Sequence, residues 1–187
     1  MLNHQGTVVL TTQRLTLRPF RVADAQGMYD NWASDPQVTR YLTWSPHKNV
    51  SETTALLKDW CTLYSVPTYY NWVIELDGQP IGNVSVVRSS DKDERAELGY
   101  CMGRAFWNQG IMTEAVRAII DFLFETVGLN RVEIWGSVFN PASGRVAEKC
   151  GLTREGIWRQ YHRVPDGTFH DVVCYSILRE EWTKNHK

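Results

Sequence analysis

Trp107-Asn108-Gln109-Gly110-Ile111-Met112-Thr113-Glu114-Ala115 joins a glycine-centred turn directly to an amphipathic helix. After the turn, Ile111, Ala115, Ile119 and Phe122 recur at helical spacing on one face, while Glu114, Arg117, Asp121 and Glu125 fall on the other. The helix therefore begins near Gly110. Its first amide N–H groups have no intrahelical partners and stand at the positive end of the helix dipole, so they form a seat for a phosphate. Glycine lets the ligand come close to the backbone.

Working outward, the pattern is α+β, with no internal repeat or low-complexity tract. Residues 13–20 alternate as a strand, 22–33 and 35–41 read as short helices, and 51–64 carries Leu56, Trp60 and Leu63 on one helical face. Strands at Tyr69–Leu76 and Pro80–Arg88 flank the hairpin signal Asp77-Gly78, and the charged turn Asp91-Lys92-Asp93-Glu94 precedes a strand over 95–103. Beyond the helix at 110–126, a strand spans Arg131–Val138 and a helix runs from Pro141 to Cys150, with Gly128 and Gly151 as stops. A last hairpin, 153–163 and 168–178, turns at Pro165-Asp166-Gly167. The expectation is one domain over residues 1–187, a mixed and mostly antiparallel sheet with helices on both faces.

Composition narrows the class. With 43% hydrophobic residues among 187, the chain can bury one good core. Its formal net charge of −1, with signs interspersed, lacks the basic surface of a nucleic-acid binder. Cys61, Cys101, Cys150 and Cys174 are widely separated and make no metal-type pair, which suits reduced thiols and predicts no metal. Met1–Thr11 lacks the form of a signal peptide and no apolar run is of membrane length, so a cytoplasmic protein without membrane contact is expected.

The residues around the phosphate seat select its ligand. A P-loop needs Lys-Ser/Thr after the last glycine, where this chain has Ile111-Met112, and a dinucleotide fingerprint needs three spaced glycines, where the loop has only Gly110. Trp107-x-x-Gly110-x-Met112 instead resembles the pyrophosphate loop of the GCN5-related N-acetyltransferases (GNAT). Thr12-x-Arg14-Leu15-x-Leu17-Arg18-Pro19-Phe20, Asp35-Pro36-x-Val38, Glu97-Leu98-Gly99-Tyr100, Asn140-Pro141-Ala142-Ser143 and Glu148-Lys149-x-Gly151 fall in the order and spacing of that superfamily's RimJ/RimL group of ribosomal-protein N-terminal acetyltransferases. Met112 stands where the family has Gly or Ala, and Asn108 where Gly is common. Both keep their backbone donors.

The resemblance implies the GNAT fold, acetyl-coenzyme A as co-substrate, and direct transfer of acetyl to a primary amine. It places Tyr100, Cys101 and Met102 along the pantetheine arm, Trp107, Asn108, Gln109, Gly110, Ile111, Met112 and Thr113 around the pyrophosphate, and Asn140 and Ser143 by the arm's far end. Asn140 before Pro141 is also a strong helix start in its own right, with an Asn cap ahead of a first-turn proline. Glu97 is the expected general base, with Glu75 and His162 as alternatives, and Ser143 the expected proton donor to the departing sulfur. Trp44 and His47, in the loop-like Trp44-Ser45-Pro46-His47, are the expected acceptor contacts. The expected acceptor is a peptide or protein α-amine, a ribosomal-protein N-terminus by resemblance, and the enzyme a monomer or homodimer. A small-molecule amine acceptor and a non-catalytic acetyl-coenzyme A binder are the alternatives.

Overall fold

The computed structural model describes residues 1–164 and 167–185. Its eight strands are β1 (Leu10–Thr11), β2 (Leu15–Pro19), β3 (Asn71–Leu76), β4 (Gln79–Ser90), β5 (Arg95–Met102), β6 (Arg131–Ser137), β7 (Thr153–Arg163) and β8 (Phe169–Leu178). They form one sheet in the order β1-β2-β3-β4-β5-β6-β8-β7. Among the described residues, β5 and β6 pair in parallel and the other neighbours are antiparallel. Asp77 and Gly78 both take positive φ, as the expected two-residue hairpin requires. Pro165 and Asp166 of the last expected turn lie outside the described residues.

The helices are α1 (Ala25–Met28), α2 (Pro36–Thr39), α3 (Val50–Leu63), α4 (Ile111–Phe122), α5 (Pro141–Lys149) and α6 (Arg179–Asn185). Three expectations need correction. The helix expected over 22–33 is a 3-10 turn at Val22–Asp24, then α1, then a π turn at Tyr29–Ala33. The π turn arises because the N–H of Ser34 reaches the carbonyl of Tyr29 at 3.2 Å, and the Ser34 hydroxyl donates to the same oxygen at 2.8 Å. The helix expected over 110–126 gives way after Phe122 to a π turn at Leu123–Val127, closed by Gly128. Strand 13–20 shrinks to β2, because Thr12 and Arg14 are engaged by Glu114. β1 and α6 were not foreseen: one is too short to show a period, the other is polar apart from Trp182, which packs on Phe124 with ring centroids 5.6 Å apart.

Strand alternation sends β5 into two cores. Ala96, Leu98 and Met102 join Leu17, Trp72, Ile74, Val132, Ile134 and the α4 residues Ile111, Val116 and Ile119 in the larger cluster. Cys101, from the opposite face, packs against the second cluster, Phe20, Met28, Trp32, Leu57 and Val73, made by a helical cap of α1 and α3. The cap is anchored by Arg18. Its guanidinium forks onto both oxygens of Asp24 at 2.8 and 2.9 Å and donates to Glu75 at 2.7 Å, with both Arg18 and Asp24 buried.

Removing Asp24 strips the buried Arg18 guanidinium of two charge-assisted bonds and leaves Glu75 to balance its charge. Asp24→Ala is expected to destabilise the protein by about 1.5–3 kcal/mol, measured as a lowered urea midpoint at unchanged m-value. A loss under 1 kcal/mol, by the same measurement, would show that the cap does not depend on the pair.

Candidate active site

β5 and β6 form ladder pairs only from Arg95↔Arg131 to Leu98↔Ile134. Past that point β5 stays with β4 through Met102, and β6 stays with β8 through Ser137. The two strands part. Gly99–Met102 therefore present an edge that no β6 residue pairs with, and an extended ligand can take up such an edge as an added strand. Tyr100 crosses the split: its hydroxyl donates to the Ser143 carbonyl at 3.1 Å and lies 3.0 Å from Ser143 Oγ, in the first turn of α5. Burial pushes the Tyr100 phenol well above its ordinary value. Cys101, on the other face, contacts the Asn83 side-chain oxygen at 2.9 Å, and burial pushes its thiol up to about 12. It is no nucleophile at neutral pH.

The loop beyond β5 has the geometry of an anion seat. Gly110 caps α4 in the left-handed region at φ 76°, and its missing Cβ would meet only the Arg14 side chain, 3.7 Å away. The first helical bond runs from Glu114 N–H to the Gly110 carbonyl at 3.0 Å, so the amides of Ile111, Met112 and Thr113 precede the ladder. Both departures from the family pattern acquire a physical account. Asn108 sits at φ 60°, a conformation that favours glycine and that asparagine tolerates best among the other residues. Met112 turns its side chain into the core at 6% exposure, away from the seat.

A clamp that the sequence reading left without a role holds this loop. Arg14 donates to the Gln109 carbonyl at 3.1 Å and to Glu114 at 2.7 Å, while the Arg14 N–H and the Thr12 hydroxyl bind the other Glu114 oxygen at 3.0 and 2.6 Å. Although burial opposes it, these donors keep the Glu114 carboxyl below its usual range. Within the loop, Trp107 Nε1 donates to the Met102 carbonyl at 2.8 Å and Gln109 to the Ala105 carbonyl at 2.9 Å. A cavity of about 550 Å³ opens beside the seat, lined by Arg14, Gly110, Thr113, Arg117 and Lys149 among others. Thr12 and Arg14 were visible as a motif. Their contact with Glu114 joins distant parts of the chain, so spacing could not reveal it.

The carboxylates next to the split are unequally satisfied. Glu133, directly across the ladder from Glu97, receives Arg131 at 2.6 Å and faces Arg95 at 3.5 Å. Glu97 Oε2 is buried with no hydrogen bond, and the nearest cation, Arg88 Nε, stands 3.8 Å off. Burial raises the Glu97 carboxyl above its ordinary value, with Glu133 adding to the effect, while Arg88 and Arg95 oppose it. A carboxyl held up in this way exchanges its proton closer to neutral pH than an exposed one does. Gly99 follows Glu97 on the same face, and the Val87 side chain fills the place its Cβ would take, 2.8 Å away.

The remaining expected residues divide. Asn140 stands at the N-cap of α5 ahead of Pro141, at φ −112° and ψ 72°, but contrary to expectation makes no side-chain cap bond. It lines a cavity of about 250 Å³ with Gly136, Ser137 and Tyr175. Glu75 is held by Arg18 on β3, two strands from β5. His162 is half-buried with an unpartnered Nε2, and burial together with His170 and Arg88 lowers its pKa. Trp44 and His47 pack on each other, ring centroids 5.4 Å apart, and His47 Nδ1 meets the buried Thr53 hydroxyl at 2.7 Å. Among the described residues, no group of three or more His, Cys, Asp or Glu is placed to hold a metal, and no helix is long and apolar enough to cross a membrane.

If Arg14 sets the loop, Arg14→Ala should weaken binding of acetyl-coenzyme A, the ligand the resemblance implies, by about ten-fold. Turnover at saturation should change little, and Arg14→Lys should recover only part of the loss because it cannot fork. Calorimetric titration beside steady-state kinetics checks the split, and a fall in kcat with unchanged affinity would count against the clamp.

Residues 14–153 match the family described as Acetyltransferase (GNAT) domain. The chain is 30% identical to the Bacillus licheniformis protein named Uncharacterized N-acetyltransferase p20, over 92% of this chain and 97% of that one. It is 26% identical to the [Ribosomal protein uS5]-alanine N-acetyltransferase of Escherichia coli, over 94% of this chain and 93% of that one. The solved structure of RimL, the ribosomal L7/L12 alpha-N-protein acetyltransferase in complex with coenzyme A, superposes with a TM-score of 0.82 at 22% identity, covering 91% of this chain and 98% of that one, and so shares the fold. The parted strands and the glycine-capped helix are thus parts of one architecture: the chain belongs to the GNAT acetyltransferase family and is an acetyl-coenzyme A-dependent acyltransferase.

Proposed function

We propose that this enzyme acetylates the α-amine of a peptide or protein N-terminus, with a ribosomal protein as the favoured class of acceptor. The observation that carries the reading is Glu97: a buried carboxylate oxygen without a hydrogen-bond partner, beside the point where β5 and β6 part. The relatives add support, since one of them acetylates an alanine of a ribosomal protein by its name. A free α-amine has an intrinsic pKa of about 7.7–8.0, against about 10.4 for a lysine-type amine, so one carboxylate can deprotonate it readily near neutrality.

In this mechanism the amides of Ile111, Met112 and Thr113 hold the pyrophosphate, and the free edge of Tyr100, Cys101 and Met102 aligns the pantetheine arm, with Trp107, Asn108, Gln109 and Gly110 shaping the loop. Acetyl-coenzyme A supplies the activated acetyl thioester. Glu97 takes one proton from the acceptor ammonium, freeing the nitrogen lone pair to form the C–N bond as the C–S bond breaks. Ser143, oriented by Tyr100, passes a proton to the leaving sulfur and is reprotonated with the second proton that the acetylated nitrogen sheds, so that the one proton held by Glu97 is released to water, and Asn140 anchors the arm near the sulfur. Trp44 and His47, packed in the cap, form the outer wall of the acceptor approach. The reading places the enzyme in the cytoplasm as a monomer or homodimer. A small-molecule amine is the second acceptor class, because the same base would serve it.

Glu97→Gln should lower turnover near neutral pH by about 10²-fold or more while acetyl-coenzyme A affinity changes little. Because the Glu97 carboxyl is raised, the wild-type kcat/KM profile should be full above that elevated pKa and fall as pH drops through it. That acidic limb should vanish in the variant. A retained limb with wild-type turnover would move the base role elsewhere.

Offered together with acetyl-coenzyme A, short peptides of varied first residue should be acetylated with higher kcat/KM than spermidine or an aminoglycoside, as products identified by mass. Preference for either small amine would overturn the peptide assignment and leave acetyl transfer intact.

A further inference from the structure

We propose that the Arg88 guanidinium occupies the seat of the acceptor's ammonium group: a cation subsite floored by the Trp135 indole and walled by Tyr161 and Glu97, from which Arg88 swings out when a primary ammonium binds. The proposal rests on the amine-acetyltransferase reading and names the site that receives its acceptor.

The seat is built by side chains from four strands. Arg88 Cζ lies 5.2 Å from the Trp135 ring centroid, Arg88 donates to the Tyr161 hydroxyl at 3.0 Å, and its Nε stops 3.8 Å from Glu97 Oε2. Trp135, Trp158 and Tyr161 meet edge to face, with centroids 4.4, 5.2 and 4.7 Å apart, so the aromatic wall is braced without Arg88. Arg88 itself reaches the seat through a backbone irregularity. The β4–β5 register shifts between Val86 and Arg88, and Val86 packs in the α4 core, whereas Val87 contacts Gly99 on the opposite face and Arg88 pairs with Glu97. A bulge of this kind re-aims one side chain.

The guanidinium fits the seat imperfectly, and that is the argument for displacement. Its side chain is 63% exposed and that of Glu97 only 13%, so a solvated cation is capping a carboxylate it fails to hydrogen-bond. Exposed cation–π and ion-pair contacts are weak. An ammonium is more compact and carries three donors, so it can reach Glu97 at charge-assisted hydrogen-bond distance while keeping the indole face. It can also surrender a proton to Glu97, which an arginine cannot. Arg88 thus keeps the seat charged and closed without being a substrate itself.

The test uses n-propylammonium as the probe, titrated into the full chain and followed by the indole N–H resonance of Trp158, which packs on Trp135 with ring centroids 4.4 Å apart and is kept in every variant tested, assigned with Trp158→Phe. Arg88→Ala should bind the probe about 3–10-fold more tightly than wild type, and Arg88→Met, which keeps the apolar stem, should do the same. The gain should disappear when Trp135→Leu or Glu97→Gln is added. Acceptor KM should fall by a similar factor with acetyl-coenzyme A affinity unchanged. Equal or weaker probe binding in both Arg88 variants, a gain that survives Trp135→Leu, or a raised acceptor KM marking Arg88 as a contact for an anionic acceptor group would each overturn the proposal. If the probe binds as expected but no amine is acetylated by the wild type, the subsite stands and the acetyltransfer reading falls.

Discussion

The molecule depends on one interrupted ladder. β5 and β6 are held in parallel for four residue pairs and then follow different partners, β5 kept by β4 and β6 by β8. Unpaired backbone edges cost free energy when they are buried away from water, so a sheet does not open in its middle unless something else is meant to take up those groups. Both flanking strands continue in antiparallel pairing, which lets the opening persist without unravelling the sheet. Tyr100 and Ser143 span it from either side, and Glu97 lies at its closed end.

The glycine-capped helix would be of little use if its turn were free to drift. Arg14 and Thr12, at the start of β2, grip Glu114 inside α4 and the Gln109 carbonyl inside the loop. The loop is fastened a second time on the cap side, where Arg104 pairs with Asp35, whose other oxygen caps α2 at Gln37. The glycine-capped turn and the helical cap are therefore both tied to one short segment, Arg104–Gly110.

The face of the sheet opposite α4 shows how the same strands can handle charge in two ways. Arg131, Glu133, Glu155 and Ser176 satisfy one another across β6, β7 and β8. Directly across the ladder from Glu133, Glu97 lacks such partners and keeps a raised affinity for a proton. Arg131 hydrogen-bonds Glu133 at 2.6 Å, whereas Arg88 stops 3.8 Å short of Glu97.

Local chemistry alone determined a good part of this protein. The amphipathic period of α4, the Gly110 cap, the Asp77-Gly78 hairpin and the Asn140-Pro141 helix start all depend on residues within a few positions of each other, and all were legible in the sequence. The π turns at Tyr29–Ala33 and Leu123–Val127 were not, because a one-residue widening of a helix leaves its apolar pattern nearly intact. Tertiary structure decided what the candidate residues do. Asn140 starts its helix without using its side chain as a cap, Glu75 is spent on Arg18, and Glu97 Oε2 is left without a hydrogen bond, with Arg88 stopping 3.8 Å away. Arg88 was invisible as a site residue for the same reason. Its place over Trp135 depends on a bulge and on three other strands, and contacts between distant segments leave no spacing in the sequence to be read.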